Sequence, residues 1–93
     1  MTRTEIMSQA VATWGVDAQM GMAVEEASEL IQALCKFRRH AGREQFADVL
    51  EEMADMRIML DQLSLMFGDC SDIEATKIKR LDEMLNRCDK RCG

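Results

Sequence analysis

The sequence predicts an all-α protein, and three observations carry the prediction. The chain has no Pro, nine Met and 47% hydrophobic residues against 4% aromatic, a mixture that favours the straight-chain residues of helices over the β-branched and aromatic residues of sheets. Apolar residues recur at spacings of three and four along four stretches, the period of a helix face. Ninety-three residues make one domain, 1–93, with a modest core, because a chain this short buries only about two thirds of the surface it exposes when unfolded.

A first helix is expected over about 3–13, where Ile6, Met7, Ala10 and Val11 share a face, and it stops near Trp14-Gly15. Asp17 is the expected N-cap of a second helix over about 18–40, with Ala23, Ala27, Leu30, Ile31, Leu34 and Phe37 on one side. Lys36, Arg38, Arg39 and His40, followed by Ala41-Gly42, suit its C-terminus. The third helix, about 43–67, carries Phe46, Val49, Leu50, Met53, Met56, Leu60, Leu63 and Phe67, and also Ile58, Met59, Leu65 and Met66 on its other sides. Three neighbours in a short chain can hardly cover a helix that is apolar nearly all round, so a homo-oligomer is expected, a dimer or a tetramer. Gly68-Asp69 closes it, and Ser71 or Asp72 is the expected cap of a fourth helix over about 72–91, with Ile73, Ile78, Leu81, Met84, Leu85 and Cys88 as its stripe.

Composition narrows the function. Twelve basic side chains against 17 acidic ones, net −5, speak against a nucleic-acid binder held by phosphate neutralisation. A small phosphorylated ligand stays open, because a metal ion inverts the local sign. No stretch approaches the ~18 apolar residues of a membrane span, and MTRTEIMSQAV is too polar for a signal peptide, so a cytoplasmic protein with reduced thiols is expected. Cys35, Cys70, Cys88 and Cys92 lack the paired spacing of a zinc site; Cys88 and Cys92, four apart, share a helix face and read as small apolar residues before they read as a two-thiolate half-site.

Two stretches break the apolar logic, VEEASEL at 24–30 and LEEMADM at 50–56. On a helix Glu26 and Glu29 lie about 60° apart, and Glu52 and Asp55 repeat that spacing, so each pair addresses one point. Glu26 falls at the edge of the second helix's apolar arc and Glu52 between Leu63 and Met59 on the third, whereas Glu25 and Glu51 point away. One such motif alone reads as a solvated face. Two on consecutive helices, on flanks that should be covered, make an acidic cluster that hard divalent cations would settle, Mg²⁺ or Mn²⁺. A di-iron site of the ferritin type would need two Glu-x-x-His motifs, and the sole histidine, His40, has no acid three residues before it. Arg57 is expected to pair with Asp61, one turn on.

The order Glu26-Ala27-Ser28-Glu29, a gap, then Glu52-Met53-Ala54-Asp55 resembles the all-α nucleoside triphosphate pyrophosphohydrolases of the MazG-like superfamily. WGVDAQMGMAVEEASELIQALCKF and VLEEMADMRIMLDQL look like the two metal helices of the compact, often phage-associated members, and KIKRLDEML like the basic stretch of their last helix. The resemblance covers about residues 14–87 and implies a four-helix MazG-like bundle that hydrolyses a nucleoside triphosphate with Mg²⁺, giving the monophosphate and pyrophosphate. It implies Glu26, Glu29, Glu52 and Asp55 as metal ligands and Glu25 or Glu29 as the group that accepts the water's proton. It places Gln19 and Trp14 on the nucleotide side and Lys77 and Arg80 toward the phosphates; on physical grounds Lys36 is expected to join these two in stabilising the departing pyrophosphate. Relatives often carry a further Arg one turn after Arg80, where this chain has Met84. With no Tyr, and Trp14, Phe37, Phe46 and Phe67 as the aromatics, base recognition has to rest on few rings, backbone groups and amides. The competing expectation is a non-enzymatic oligomeric helical module whose acids form salt bridges between chains.

Overall fold

A computed structural model describes residues 1–92, with side chains through Cys88. It holds four helices, α1 (Arg3–Trp14), α2 (Val16–Arg39), α3 (Arg43–Phe67) and α4 (Ser71–Cys92), and no strand among the described residues. The all-α expectation and the number of helices are met.

The helix ends explain where the expected boundaries shift. Thr2 caps α1 by accepting from the Glu5 backbone N–H at 3.1 Å. Gly15, at φ 90°, ends α1 through its N–H to the Val11 carbonyl and at once starts α2, so Asp17 falls in the first turn of α2 and not at its cap. A side chain at that φ is strained, which makes Gly15 the residue that turns the chain between two helices with no loop. α3 spans the expected residues and stops at Gly68, φ 119°, whose N–H reaches the Ser64 carbonyl at 2.9 Å. The start of α4 is held by Asp69, whose Oδ1 accepts from the Ser71 backbone N–H at 3.1 Å and its hydroxyl at 2.6 Å; these bonds hold the Asp69 carboxyl below its ordinary range. Ser71 and Asp72, the expected caps, lie inside the first turn.

α2 and α3, joined through His40–Gly42, pack as an antiparallel pair whose register can be read from three levels. Phe37 and Phe46 stack tilted near the turn, ring centroids 6.3 Å apart. Glu26 faces Glu52 and Asp55 at mid-height. Gln19 bonds Gln62 toward the far end. There α1 crosses both helices, pinned by Met7 in the core and by Arg3, whose Nε donates to Asp61 Oδ2 at 2.6 Å. That bond corrects the expected pairing of Asp61 with Arg57, which stays exposed.

The buried apolar residues are Met7, Ala23, Ala33 and Met59, and no large side chain is fully sealed among the described residues. Phe46, Leu50, Leu60 and Phe67 on α3 remain at least half exposed. α4 departs most from the expected bundle: among the described residues it packs against none of α1–α3, and Ile73, Ile78, Leu81, Met84 and Leu85 all face outward. The radius of gyration, 17.3 Å, exceeds the ~12 Å of a compact chain of this length for that reason. One chain therefore forms a three-helix body and a separate fourth helix. No helix of the described residues is long and apolar enough to cross a membrane.

Candidate functional site

The α2–α3 register brings one carboxylate oxygen each of Glu26, Glu52 and Asp55 within 4.8 Å of one another. Glu26 and Glu52 are half-buried, and one oxygen of each, Oε2, is sealed from solvent with no hydrogen-bond partner. Orphaned buried carboxylate oxygens are costly and call for a proton or a cation. Burial is the largest influence on Glu26 and, with the charges of Glu29, Asp55 and Glu52, pushes its carboxyl up to about 7. Burial likewise raises Glu52, followed by the charge of Glu29. Glu29 itself is exposed, so it stands at the rim of the cluster, close enough to be felt by both half-buried acids. The described residues hold one ion pair, Arg3 with Asp61, and none to these four acids.

The remaining expected residues divide. Glu25 is exposed and lies outside the trio; its carbonyl accepts from the Ser28 hydroxyl at 2.8 Å. Trp14, 64% exposed, and Gln19, 5% exposed, line one hollow of about 450 Å³ with Ala18 and Met22. Gln19 sits two turns before Glu26 on the same side of α2, roughly 10 Å along the axis. Lys36 is exposed two turns beyond Glu29. Lys77 and Arg80 are exposed on α4, which one chain does not bring to the acids. Cys35, Cys70 and Cys88 are exposed free thiols, and the Cys92 side chain lies outside the described residues, as does any pairing it makes with Cys88.

The sequence reading missed Gln62. It is buried, accepts from Gln19 and donates to Met7 Sδ, joining all three helices of the body. Its signal was an amide at a register of α3 whose neighbours, Met59 and Leu63, are apolar. Compared with protein-family models, curated proteins and solved structures, the chain finds no match.

Proposed function

We propose that the chain is a nucleoside triphosphate pyrophosphohydrolase dependent on Mg²⁺, with Mn²⁺ able to replace it, which releases the nucleoside monophosphate and pyrophosphate and works as a cytoplasmic homo-oligomer. One observation carries the reading: Glu26 Oε2 and Glu52 Oε2 are sealed and unpartnered beside Asp55 and Glu29. Four carboxylates and no basic partner make an all-oxygen donor set that fits a hard divalent ion. Glu26, Glu29, Glu52 and Asp55 would hold it. Such an ion, when bound, offsets the charge of a triphosphate and acidifies water.

The chain's own groups supply the rest. Glu29, exposed at the rim, is the better placed of the two candidate bases to take the proton of the attacking water; Glu25 lies outside the trio. Trp14 and Gln19 bound the hollow that takes the nucleoside. Lys36 lies beyond Glu29 on the side of α2 away from that hollow, toward the departing phosphates. Lys77 and Arg80 reach the phosphates when α4 of one copy lies on the α2–α3 pair of another, an arrangement that also covers the stripe α4 leaves bare. The test is a panel of ribo- and deoxynucleoside triphosphates with Mg²⁺, scored for pyrophosphate against phosphate. Pyrophosphate release supports the reading, and silence across the panel ends it.

The bare stripe of α4 also favours the second reading, a helical module that assembles without catalysis. The two part on thermal stability with and without Mg²⁺ or Mn²⁺, since an ion bound only by the folded state raises the melting temperature. A module with interchain salt bridges gives no response.

A further inference from the structure

Two hydrogen bonds thread the three-helix body away from the carboxylates. Gln19 Nε2 donates to Gln62 Oε1 at 2.6 Å, and Gln62 Nε2 donates to Met7 Sδ at 3.7 Å. Both glutamines are 5% exposed. A thioether sulfur has no proton to give, so the end of Gln62 that faces Met7 is its NH₂. The Gln62 carbonyl is thereby turned to Gln19, where it has to meet an N–H. One sulfur atom thus orients two amides in series. Gln19 commits one N–H of its amide to Gln62, which fixes the amide's orientation, and its carbonyl Oε1 has no donor among the described residues; the residue lines the hollow with Trp14, Ala18 and Met22.

We propose that Gln62 is a positioning residue for nucleobase selection: it holds the Gln19 carbonyl as a fixed acceptor, so that the hollow takes bases turning an exocyclic amine to it, cytosine or adenine, over those turning a carbonyl there, uracil or hypoxanthine. The inference rests on the nucleotide reading above. The hollow has the size of a ligand site, and its largest wall is an exposed indole, a platform on which a base stacks. Two helical turns separate it from Glu26, the side to which a sugar and phosphates would extend. An acceptor that cannot rotate discriminates, because a carbonyl set against it leaves two acceptors facing each other with no proton between them. A lone Gln19, free to turn its amide over, would offer an N–H to uracil as readily as an oxygen to cytosine.

Trp14 is the chain's single tryptophan and there is no tyrosine, so intrinsic fluorescence reports on this hollow alone. The full chain without metal is titrated with CMP and with UMP. Wild type is expected to bind CMP roughly tenfold more tightly. Gln62→Met removes the acceptor while keeping length and burial beside Met7, and is expected to shrink the gap to about twofold or less with helix content unchanged. Equal affinities in the wild type, tighter binding of UMP, no fluorescence response to either, or a gap that survives Gln62→Met overturns the proposal. Should Gln62→Met fail to fold, the wild-type order decides, with Gln62→Leu as the second variant. Monophosphate binding needs neither metal nor turnover. A chain that releases no pyrophosphate yet separates CMP from UMP would sink the enzyme reading and leave the relay standing; an active enzyme indifferent to amine and carbonyl would do the reverse.

Discussion

α2–α3 and α4 are built from similar lengths of amphipathic sequence and end in opposite conditions. The first pair, 24 and 25 residues, closes on itself through a short turn and so brings acids from two motifs together by local connection. α4, 22 residues, carries the cleanest apolar stripe of the chain and two of the cations expected near phosphate, yet touches no other helix among the described residues. Most of a protein helix's stability comes from packing its amphipathic face, which α4 does not do among the described residues. One chain thus gathers the acids of the proposed site, and does not bring Lys77 and Arg80 to them.

The sharpest way to break this contrast is at its self-contained side. Glu52→Gln or Asp55→Asn removes a proposed metal ligand, and losses at groups merely supporting metal ligands already reach about 10–100-fold, so pyrophosphate release should fall by more than about a hundredfold with helix content intact. Wild-type turnover in either variant would show that the acids are not ligands.

Arg80→Ala strikes the other side. A charge-assisted bond to a phosphate oxygen contributes on the order of 1.5–3 kcal/mol, so catalytic efficiency should drop by roughly ten- to a hundredfold, while Mg²⁺ binding without nucleotide stays or tightens slightly. If the cations arrive from another copy, mixing inactive Glu52→Gln with impaired Arg80→Ala should recover activity, because mixed assemblies contain one intact site. No recovery on mixing, with both variants shown to exchange subunits, would place α4 on its own chain.

A smaller change is expected from Leu81→Asp, a charge in the middle of the uncovered stripe. In light scattering it should shift the wild-type oligomer toward monomer and lower the helix content by about the share of α4, since a buried charge disrupts the packing that keeps this helix formed. A wild type already monomeric at micromolar concentration would end the assembly argument outright.

How far the sequence could be read follows the same division. The bounds of α3 and the directions of the acids depend on a helical period within one element; α3 has the expected bounds, and Glu26, Glu52 and Asp55 converge while Glu29 stays at the rim. Asp17 failed as a cap because Gly15, with φ 90°, turns the chain directly from one helix into the next and leaves no cap position for it. Arg57 lost Asp61 to Arg3, 58 residues away, since a favourable i,i+4 spacing adds only tenths of a kcal/mol and yields to any well-placed partner. The Gln19–Gln62–Met7 relay required the mutual register of three helices, which no single-element pattern contains. α4 was legible as a helix and not in its placement, because its stripe meets no other helix among the described residues.

The smallest expected effect tests whether the cluster is strained without metal. Burial, then its acidic neighbours, moves the Glu26 carboxyl from its ordinary 4.5 to about 7 in the folded chain. Between those values the folded state keeps a proton that the unfolded chain has given up, so the contribution to stability is full below about 4.5 and is lost as pH rises through about 7. Asp69 runs the other way, but its carboxyl is lowered, so its contribution is already complete at the bottom of that window. The metal-free protein should therefore melt at falling temperature from about pH 5 to about pH 8, by about a few degrees once solvent screening of a half-buried carboxyl is allowed for. Mg²⁺ should restore the loss at the alkaline end, where protons compete least with the ion. Glu26→Gln cannot ionise. It should match wild type at pH 5, melt higher at pH 8, and retain only the part of the slope that belongs to Glu52, whose carboxyl is also raised by burial. A metal-free melting temperature that is flat or rises across the window in the wild type would mean that Glu26 and Glu52 repel less than their sealed oxygens imply, and would remove the physical reason for an ion between them.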